Sequence, residues 1–386
     1  MSVYLILERL RVGRAAGRIP LRIAVSGTRG KSTVTRLIAA VLRADGRSVL
    51  AKTTGSKAMV IFADGAEEEI RRRGLPTILE QKGILRRAAA LGVQTLVSEL
   101  MSVRPAILAV ESRRLIRPHI LVITNARVDH REEMGTTRSE IALALAAAIP
   151  GGATVFVLEE ENRPEFERAA RDAGSRFIKV RSGRAPGPDT GPRPASGQWF
   201  EGDIALALAV ADELGVPRES ALRGIAVARP DFGSLRAWDA VLGDPPASWT
   251  LVSAFAANDP DSSRRSLERL AGLQRLNPQE LVGVLNLRRD RGDRTIQWIE
   301  ALDKGFFSGF AALYVVGAHT GARRWRRPSP APPAIRPLGE RSVEPLMAAI
   351  TRAHREGAVL VGLGNMGGLG RSLVEHWERT GRPHAL

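Results

Sequence analysis

Cysteine is absent from this chain of 386 residues. Disulfides, thiolate metal sites and cysteine nucleophiles are therefore excluded, and the absence fits a reducing compartment. Aromatic residues make up only 5% of the sequence. With no recognisable nucleic-acid motif, that scarcity argues against base stacking and a nucleic-acid partner. No apolar run approaches the roughly 20 residues needed to cross a bilayer. The first ten residues are mostly apolar (Val3, Tyr4, Leu5, Ile6, Leu7, Leu10), and Arg9, Arg11, Arg14 and Arg18 follow, but no small-residue cleavage site comes after them, so no signal peptide is expected. Residues 1–20 read either as a packed helix or as a helix that docks on a membrane surface or a membrane partner. Lysine is also scarce: six of the 57 basic residues, the rest being arginine. The net charge of +16 is compatible with biased composition or with attraction to a polyanion.

What is present is concentrated in a few segments. The apolar run Ile23-Ala24-Val25-Ser26 enters Gly27-Thr28-Arg29-Gly30-Lys31-Ser32-Thr33, and a helical pattern follows (Val34, Leu37, Ile38, Val41). Strand, glycine turn and Lys-Ser-Thr at a helix start form a phosphate loop. Its backbone N–H groups face anionic oxygens, Lys31 reaches the terminal phosphates, and the Ser32 hydroxyl suits Mg²⁺. The spacing is compact: Val25 stands where the general pattern has its first glycine.

Strand-like and helix-like runs alternate through residues 21 to about 225. Arg22–Ser26, Ser48–Ala51, Gln94–Ser98, Ile120–Thr124 and Thr154–Leu158 read as strands; 32–44, 78–91, 138–148, 163–173 and 203–214 read as helices. A parallel sheet covered by helices is expected. Residues 181–198 read as an exposed loop and 225–235 as a hinge. A second alternation follows. Its strands are expected at Thr250–Phe255, Leu281–Leu285, Ala312–Val316 and Ala358–Gly362, interrupted by a solvated Pro/Arg-rich stretch at 322–337.

In an open parallel sheet, ligands gather at the carboxyl ends of the strands. Glu99 closes one strand and suits Mg²⁺, or serves as an acid near a helix start. Asn125 and His130 follow another; Asn125 either holds nucleotide or orients the loop, and His130 offers a neutral imidazole to a second metal. Lys52-Thr53-Thr54-Gly55 suits a phosphate or carboxylate, as does Glu80-Gln81-Lys82 unless it is a polar helix face. Farther on, Asn258-Asp259 and Arg288 to Asp290 follow strands of the second alternation, and read as a cap over nucleotide or as solvated loops.

These residues resemble the Mur ligase superfamily. The G-T-x-G-K-S loop, Glu99 and N-x-x-x-D-H at 125–130 look like its ATPase domain; A-x-N-D-P-D-S at 256–262 and R-R-D-R-G-D-R at 288–294 look like its C-terminal domain. K-T-T-G at 52–55, E-Q-K at 80–82, F-A-A-N-D at 255–259 and G-x-G-N at 362–365 resemble, in order, the poly-γ-glutamate synthase branch of the PgsB/CapB type. The resemblance implies an α/β fold: a phosphate-loop central ATPase domain with a parallel sheet (21–228) after the segment 1–20, then a smaller Rossmann-like C-terminal domain (229–386). It implies an ATP-dependent ligase that polymerises glutamate through an acyl phosphate, releasing ADP and phosphate. Gly27, Thr28, Arg29, Gly30, Lys31, Ser32, Thr33, Asn125, Asn258, Asp259, Arg288 and Asp290 would hold nucleotide. Lys31, Arg29, Glu99 and His130 would act in catalysis, and Ser32, Glu99 and His130 would ligate Mg²⁺, or Mn²⁺ in its place.

The implied partners are glutamate, its γ-linked polymer and an integral membrane protein of the PgsC/CapC type, with homo-oligomerisation left open. The implied place is the cytoplasmic face of the membrane. No carbamylated lysine follows His130, since the next lysine is Lys179, and Asp203 stands where the branch tends to have Asn. A folylpolyglutamate-type or other amino-acid ligase on the same scaffold, a nucleic-acid-dependent ATPase and a non-catalytic nucleotide-binding module are the alternatives.

Overall fold

The computed structural model describes the chain except for Met1, Ser56, Arg73, Leu75, Val128, residues 185–198, residues 273–280, Arg291, residues 321–324, residues 326–332, Glu340 and residues 385–386. Side-chain environments are described for a slightly smaller set, which also leaves out residues 2–6, Arg184 and residues 269–272. The chain divides into two compact units, one ending at Asp231 and the other beginning at Phe232.

Eight strands form the sheet of the first unit: β1 (Leu21–Ser26), β2 (Val49–Thr53), β3 (Met59–Ile61), β4 (Glu67–Glu69), β5 (Thr95–Glu99), β6 (Ile120–Ile123), β7 (Thr154–Leu158) and β8 (Arg176–Val180). Their order is β4-β3-β2-β5-β1-β6-β7-β8. From β2 to β8 every neighbour is parallel, while β3 and β4 add an antiparallel edge. The central strands are near-continuous apolar runs because helices cover them on both faces. One layer packs Leu37, Ile38, Leu206 and Leu208 against the sheet; the other packs Ile84, Leu85, Ile141 and Phe166. The helix Glu201–Glu213 is apolar nearly all round and is buried along its length, as such a helix must be. Close packing continues behind the phosphate loop, where helix Arg218–Val227 crosses helix Lys31–Ala44. A Cβ at Gly224 would lie 2.6 Å from Val41 Cα and 2.7 Å from the Ala40 carbonyl oxygen.

The N-terminal helix Ser2–Gly17 packs into this unit. Val12, Ala15 and Ala16 are buried, Glu8 pairs with Lys82 at 2.7 Å, and the Arg22 guanidinium donates to the carbonyls of Ala16 and Ile19. Those bonds tie the end of the helix and the turn after it to the start of β1. Leu7 and Leu10 remain exposed.

The second unit carries β9 (Arg236–Leu242), β10 (Ala247–Ser253), β11 (Leu281–Leu287), β12 (Ala312–Gly317), β13 (Ala334–Gly339), β14 (Val359–Gly364) and β15 (Arg382–His384), in the order β13-β12-β11-β14-β10-β9-β15. The five strands from β13 to β10 are parallel; β9 and β15 are antiparallel. This is a doubly wound arrangement whose strand order reverses between β11 and β14. Asn286 and Asn365 lock those two strand ends together: the Asn286 side chain donates to the Asn365 carbonyl at 2.6 Å, and the Asn365 side chain to the Asn286 carbonyl at 3.3 Å.

The stretch 322–337 is not wholly the solvated loop that its composition predicts: its last residues begin β13, an edge strand that tolerates Pro337 because one of its sides makes no ladder bonds. Residues 321–324 and 326–332 lie outside the described residues, as does most of the expected loop at 181–198.

Candidate active site

The phosphate loop links β1 to helix Lys31–Ala44, with Gly27 at φ 126° and Gly30 at φ 77°. Both torsions lie where glycine alone is unstrained. Space matters as well: a Cβ at Gly27 would lie 2.1 Å from Thr124 Oγ1, and one at Gly30 would lie 3.0 Å from Asp203 Oδ1. The loop thus packs against the chain leaving β6 and against Asp203. Thr28 Oγ1 donates to Asn125 Oδ1 at 2.7 Å, the Arg29 amide donates to the same oxygen at 3.0 Å, and Asn125 Nδ2 returns a bond to the Arg29 carbonyl at 3.0 Å. Asn125 therefore orients the loop, one of its two sequence readings. The Lys31 ammonium folds over the loop and donates to the Gly27 carbonyl at 2.9 Å.

β1 sits between β5 and β6, with Val25 beside Glu99 and Ser26 beside Ile123. That register brings the ends of the three strands together. Glu99, buried to 2% exposure, accepts at one oxygen from Ser32 Oγ and from the Thr54 amide, both at 2.7 Å. Gly55 permits this approach, since a Cβ there would lie 2.5 Å from Ser32 Oγ. A hydroxyl and a carboxylate are hard oxygen donors that fit Mg²⁺ or Mn²⁺. The glycine cradle, the helix start and Lys31 likewise fit a phosphate chain.

The remaining sequence candidates divide. Arg29 pairs with buried Asp129 at 3.1 Å. His130, at φ 47°, also lies by Asp129, its Nε2 at 3.9 Å from Oδ1. Among the described residues, no three His, Cys, Asp or Glu side chains converge as a metal cage. Thr33 lies in the first turn of the helix. Asn258, Asp259, Arg288 and Asp290 belong to the second unit, after β10 and β11 at the carboxyl edge of its sheet. Asp259 Oδ1 accepts from the Ser262 amide at 2.9 Å, near the start of helix Pro260–Gly272, and Arg288 forks Asp290 at 2.9 and 2.7 Å.

Lys52 departs from its sequence reading. It is fully buried, so its ammonium is closed to any phosphate or carboxylate ligand; it lies 3.6 Å from Glu80 Oε2 and 3.6 Å from Met101 Sδ. The E-Q-K segment is internal bracing too. Gln81 Nε2 donates to the Glu99 carbonyl at 3.1 Å and to Glu111 Oε1 at 2.7 Å, and its amide oxygen accepts from Ser98 Oγ at 2.9 Å. Glu111, on the π-helical segment Val110–Ile116, is a buried member of this network that sequence reasoning missed.

Burial pushes the Lys52 ammonium below the ordinary lysine value, against the opposing pull of Glu80, Glu111 and Glu99. The folded chain therefore gives up this proton at lower pH than the unfolded chain does, and stability rises with pH between the two values. Lys52→Met is expected to remove that rise. Denaturation midpoints, compared with the parent over the alkaline range below the usual lysine value of about 10.4, check it; parallel curves would contradict the assignment.

Residues 25–184 match the family model for the Mur ligase middle domain, and residues 242–380 match that for the poly-gamma-glutamate synthase CapB C-terminal domain. The chain is 31% identical over 375 residues to the PGA synthase CapB of Bacillus subtilis (strain 168), a match covering 96% of this chain and 93% of that protein. It is 35% identical over 300 residues to the capsule biosynthesis protein CapB of Bacillus anthracis, covering 77% of this chain and 64% of that one. Among solved structures, the bifunctional folylpolyglutamate synthase/dihydrofolate synthase from Yersinia pestis complexed with AMPPNP and Mn ion aligns with a TM-score of 0.63 at 17% identity, covering 95% of this chain and 91% of that chain. The last likeness is one of fold. With two successive family models and a relative matched over nearly its whole length, the chain belongs to the CapB family of poly-γ-glutamate synthases, ATP-dependent amide ligases built on the Mur ligase fold.

Proposed function

We propose that this chain lengthens poly-γ-glutamate: a carboxylate of the growing chain attacks the γ-phosphate of ATP, and the amine of an incoming glutamate then displaces phosphate from the acyl phosphate. The observation that carries the reading is the meeting of Ser32, Glu99 and the Thr54 amide beside the phosphate loop, in a member of a ligase family. Lys31 and the loop amides hold the phosphates and offset charge that spreads over the transferring group. Asn125 keeps the loop in that shape. A divalent ion bound by Ser32 and Glu99 would neutralise phosphate oxygens, and His130 offers its imidazole to a second ion. Arg29 adds positive charge at the loop. Residues 21–228 serve as the nucleotide domain. Residues 229–386 serve as the domain that closes on it, bringing Asn258, Asp259, Arg288 and Asp290 to the nucleotide and excluding water from an intermediate that hydrolyses. Residues 1–20 dock an integral membrane partner of the PgsC/CapC type, placing the enzyme at the inner face of the membrane.

Product analysis tests this. The protein, co-expressed with its membrane partner and given ATP, Mg²⁺ and glutamate, is expected to release ADP and phosphate in equal amounts and to lengthen a γ-linked chain. AMP and pyrophosphate would sink the acyl-phosphate route. Turnover stimulated by a folate and not by polyglutamate would move the substrate to the folylpolyglutamate class.

A further inference from the structure

Asp231 has no part in the reading above. It is the last residue of the first unit and is 6% exposed. Its Oδ1 lies 3.6 Å from Nε of Arg36, a buried residue of the phosphate-loop helix whose guanidinium forks Glu67 at 2.7 and 3.0 Å. Its other oxygen faces the turn after β2. A Cβ built on Gly55 would lie 3.0 Å from Asp231 Oδ2 and 2.5 Å from Ser32 Oγ. Both distances radiate from one point, so the serine hydroxyl and this carboxylate oxygen are at most about 5.5 Å apart. A side chain at residue 55 would crowd both of them.

Mg²⁺ binds oxygens at about 2.1 Å in octahedral geometry and keeps several of its waters. A water on an ion held at Ser32 Oγ therefore sits within about 3–4 Å of that oxygen, and a hydrogen bond of about 2.8 Å takes it on to a second acceptor. Asp231 Oδ2 lies inside that reach.

We propose that Asp231 is a positioning residue for the divalent ion, its Oδ2 accepting from a water of the ion bound at Ser32, and that Gly55 is glycine to leave room for that water. The inference rests on the assignment of an ion to Ser32 and Glu99. The Arg36 guanidinium, 3.6 Å from the opposite oxygen of Asp231, attracts that oxygen by charge and leaves Oδ2 toward the turn. The ion thereby fastens the chain where it leaves the first unit.

Mn²⁺ binding to the full chain in the presence of AMPPNP, read from the electron paramagnetic resonance signal of free Mn²⁺, tests this without turnover. Asp231→Asn is expected to raise the Mn²⁺ dissociation constant about tenfold, the usual order for losing an outer partner of a metal site. Gly55→Ala, whose added carbon would crowd Ser32 Oγ at 2.5 Å as well as Asp231 Oδ2 at 3.0 Å, is expected to weaken binding at least as much. Glu67→Gln, which disturbs Arg36 from its other side, is expected to leave it unchanged. Parental affinity in Asp231→Asn overturns the proposal, as does an equal loss in Glu67→Gln, which would mean that Asp231 acts only through Arg36. Ser32→Ala and Glu99→Gln separate the two levels. If they weaken Mn²⁺ and Asp231→Asn does not, only this inference fails; if neither weakens it, the ion assignment itself fails.

Discussion

Lys31→Ala is expected to lower ATP-dependent turnover about a thousandfold, the order seen when one charge-stabilising group is removed from a phosphoryl-transfer site. The side chain rises from the first residue of helix Lys31–Ala44, and its ammonium already lies over the loop, bonded to the Gly27 carbonyl. A compact cation on a flexible stem can leave those carbonyls for phosphate oxygens with little rearrangement. Alanine loses that charge at the point where negative charge develops, while keeping good helix propensity at a half-buried position. The melting temperature should therefore stay near that of the parent while turnover collapses. Lys31→Arg keeps the charge but not its shape and should recover only part of the rate. Steady-state ADP release, measured beside a thermal melt, checks this; a Lys31→Ala enzyme within tenfold of the parent would remove the lysine from the mechanism.

The second large effect concerns packing behind the loop. Gly224→Ala would set a Cβ 2.6 Å from Val41 Cα and 2.7 Å from the Ala40 carbonyl oxygen. Both are backbone atoms of the phosphate-loop helix, so no side-chain rotation relieves the clash and one helix must move. Overpacking of this kind costs about 3 kcal/mol. Because the displaced helix begins at Lys31, nucleotide affinity should fall as well. Gly83→Ala is the control: it lies inside helix Leu79–Ala90 with nothing within 4 Å of the added carbon. That substitution is expected to stabilise by about 1 kcal/mol, since alanine loses less backbone entropy in a helix. Denaturant titrations of both variants give the comparison; equal effects would mean that the two helices are not in the close contact described.

The parallel strands were legible because burial on both faces leaves runs such as Ile120–Ile123 and Thr154–Leu158 almost wholly apolar. The outer strands were not. β4 reads Glu-Glu-Glu, β9 mixes Arg236 and Asp239 with tryptophan and valine, and β13 contains a proline, so pattern alone points away from sheet. That the glycine turn at 27–30, Glu99 and Asn125 share one sheet edge was legible because glycine and polar residues at strand ends are unusual enough to stand out. Lys52 misled for a related reason: a lysine beside threonines and glycine looks like an anion site until the β2–β5 pairing buries it against Glu80. Asp231 gave no signal of its own. It sits in Arg-Pro-Asp-Phe-Gly, a turn-forming composition, and only the fold carries that turn back to Gly55 and Ser32.

The two sheets also end in ways that bear on how copies of this protein meet in a crowded solution. An open row of amides and carbonyls invites a foreign strand, and proteins deter it with charge or proline. Here β4 exposes Glu68 and Glu69, while Glu67 pairs with the buried Arg36, and β8 shows Arg176 and Lys179 to solvent. In the other unit, β13 and β15 each carry a proline, Pro337 and Pro383. Every margin is thus spoiled as a template, and runaway strand-by-strand stacking is discouraged without spending the apolar strands at the centre.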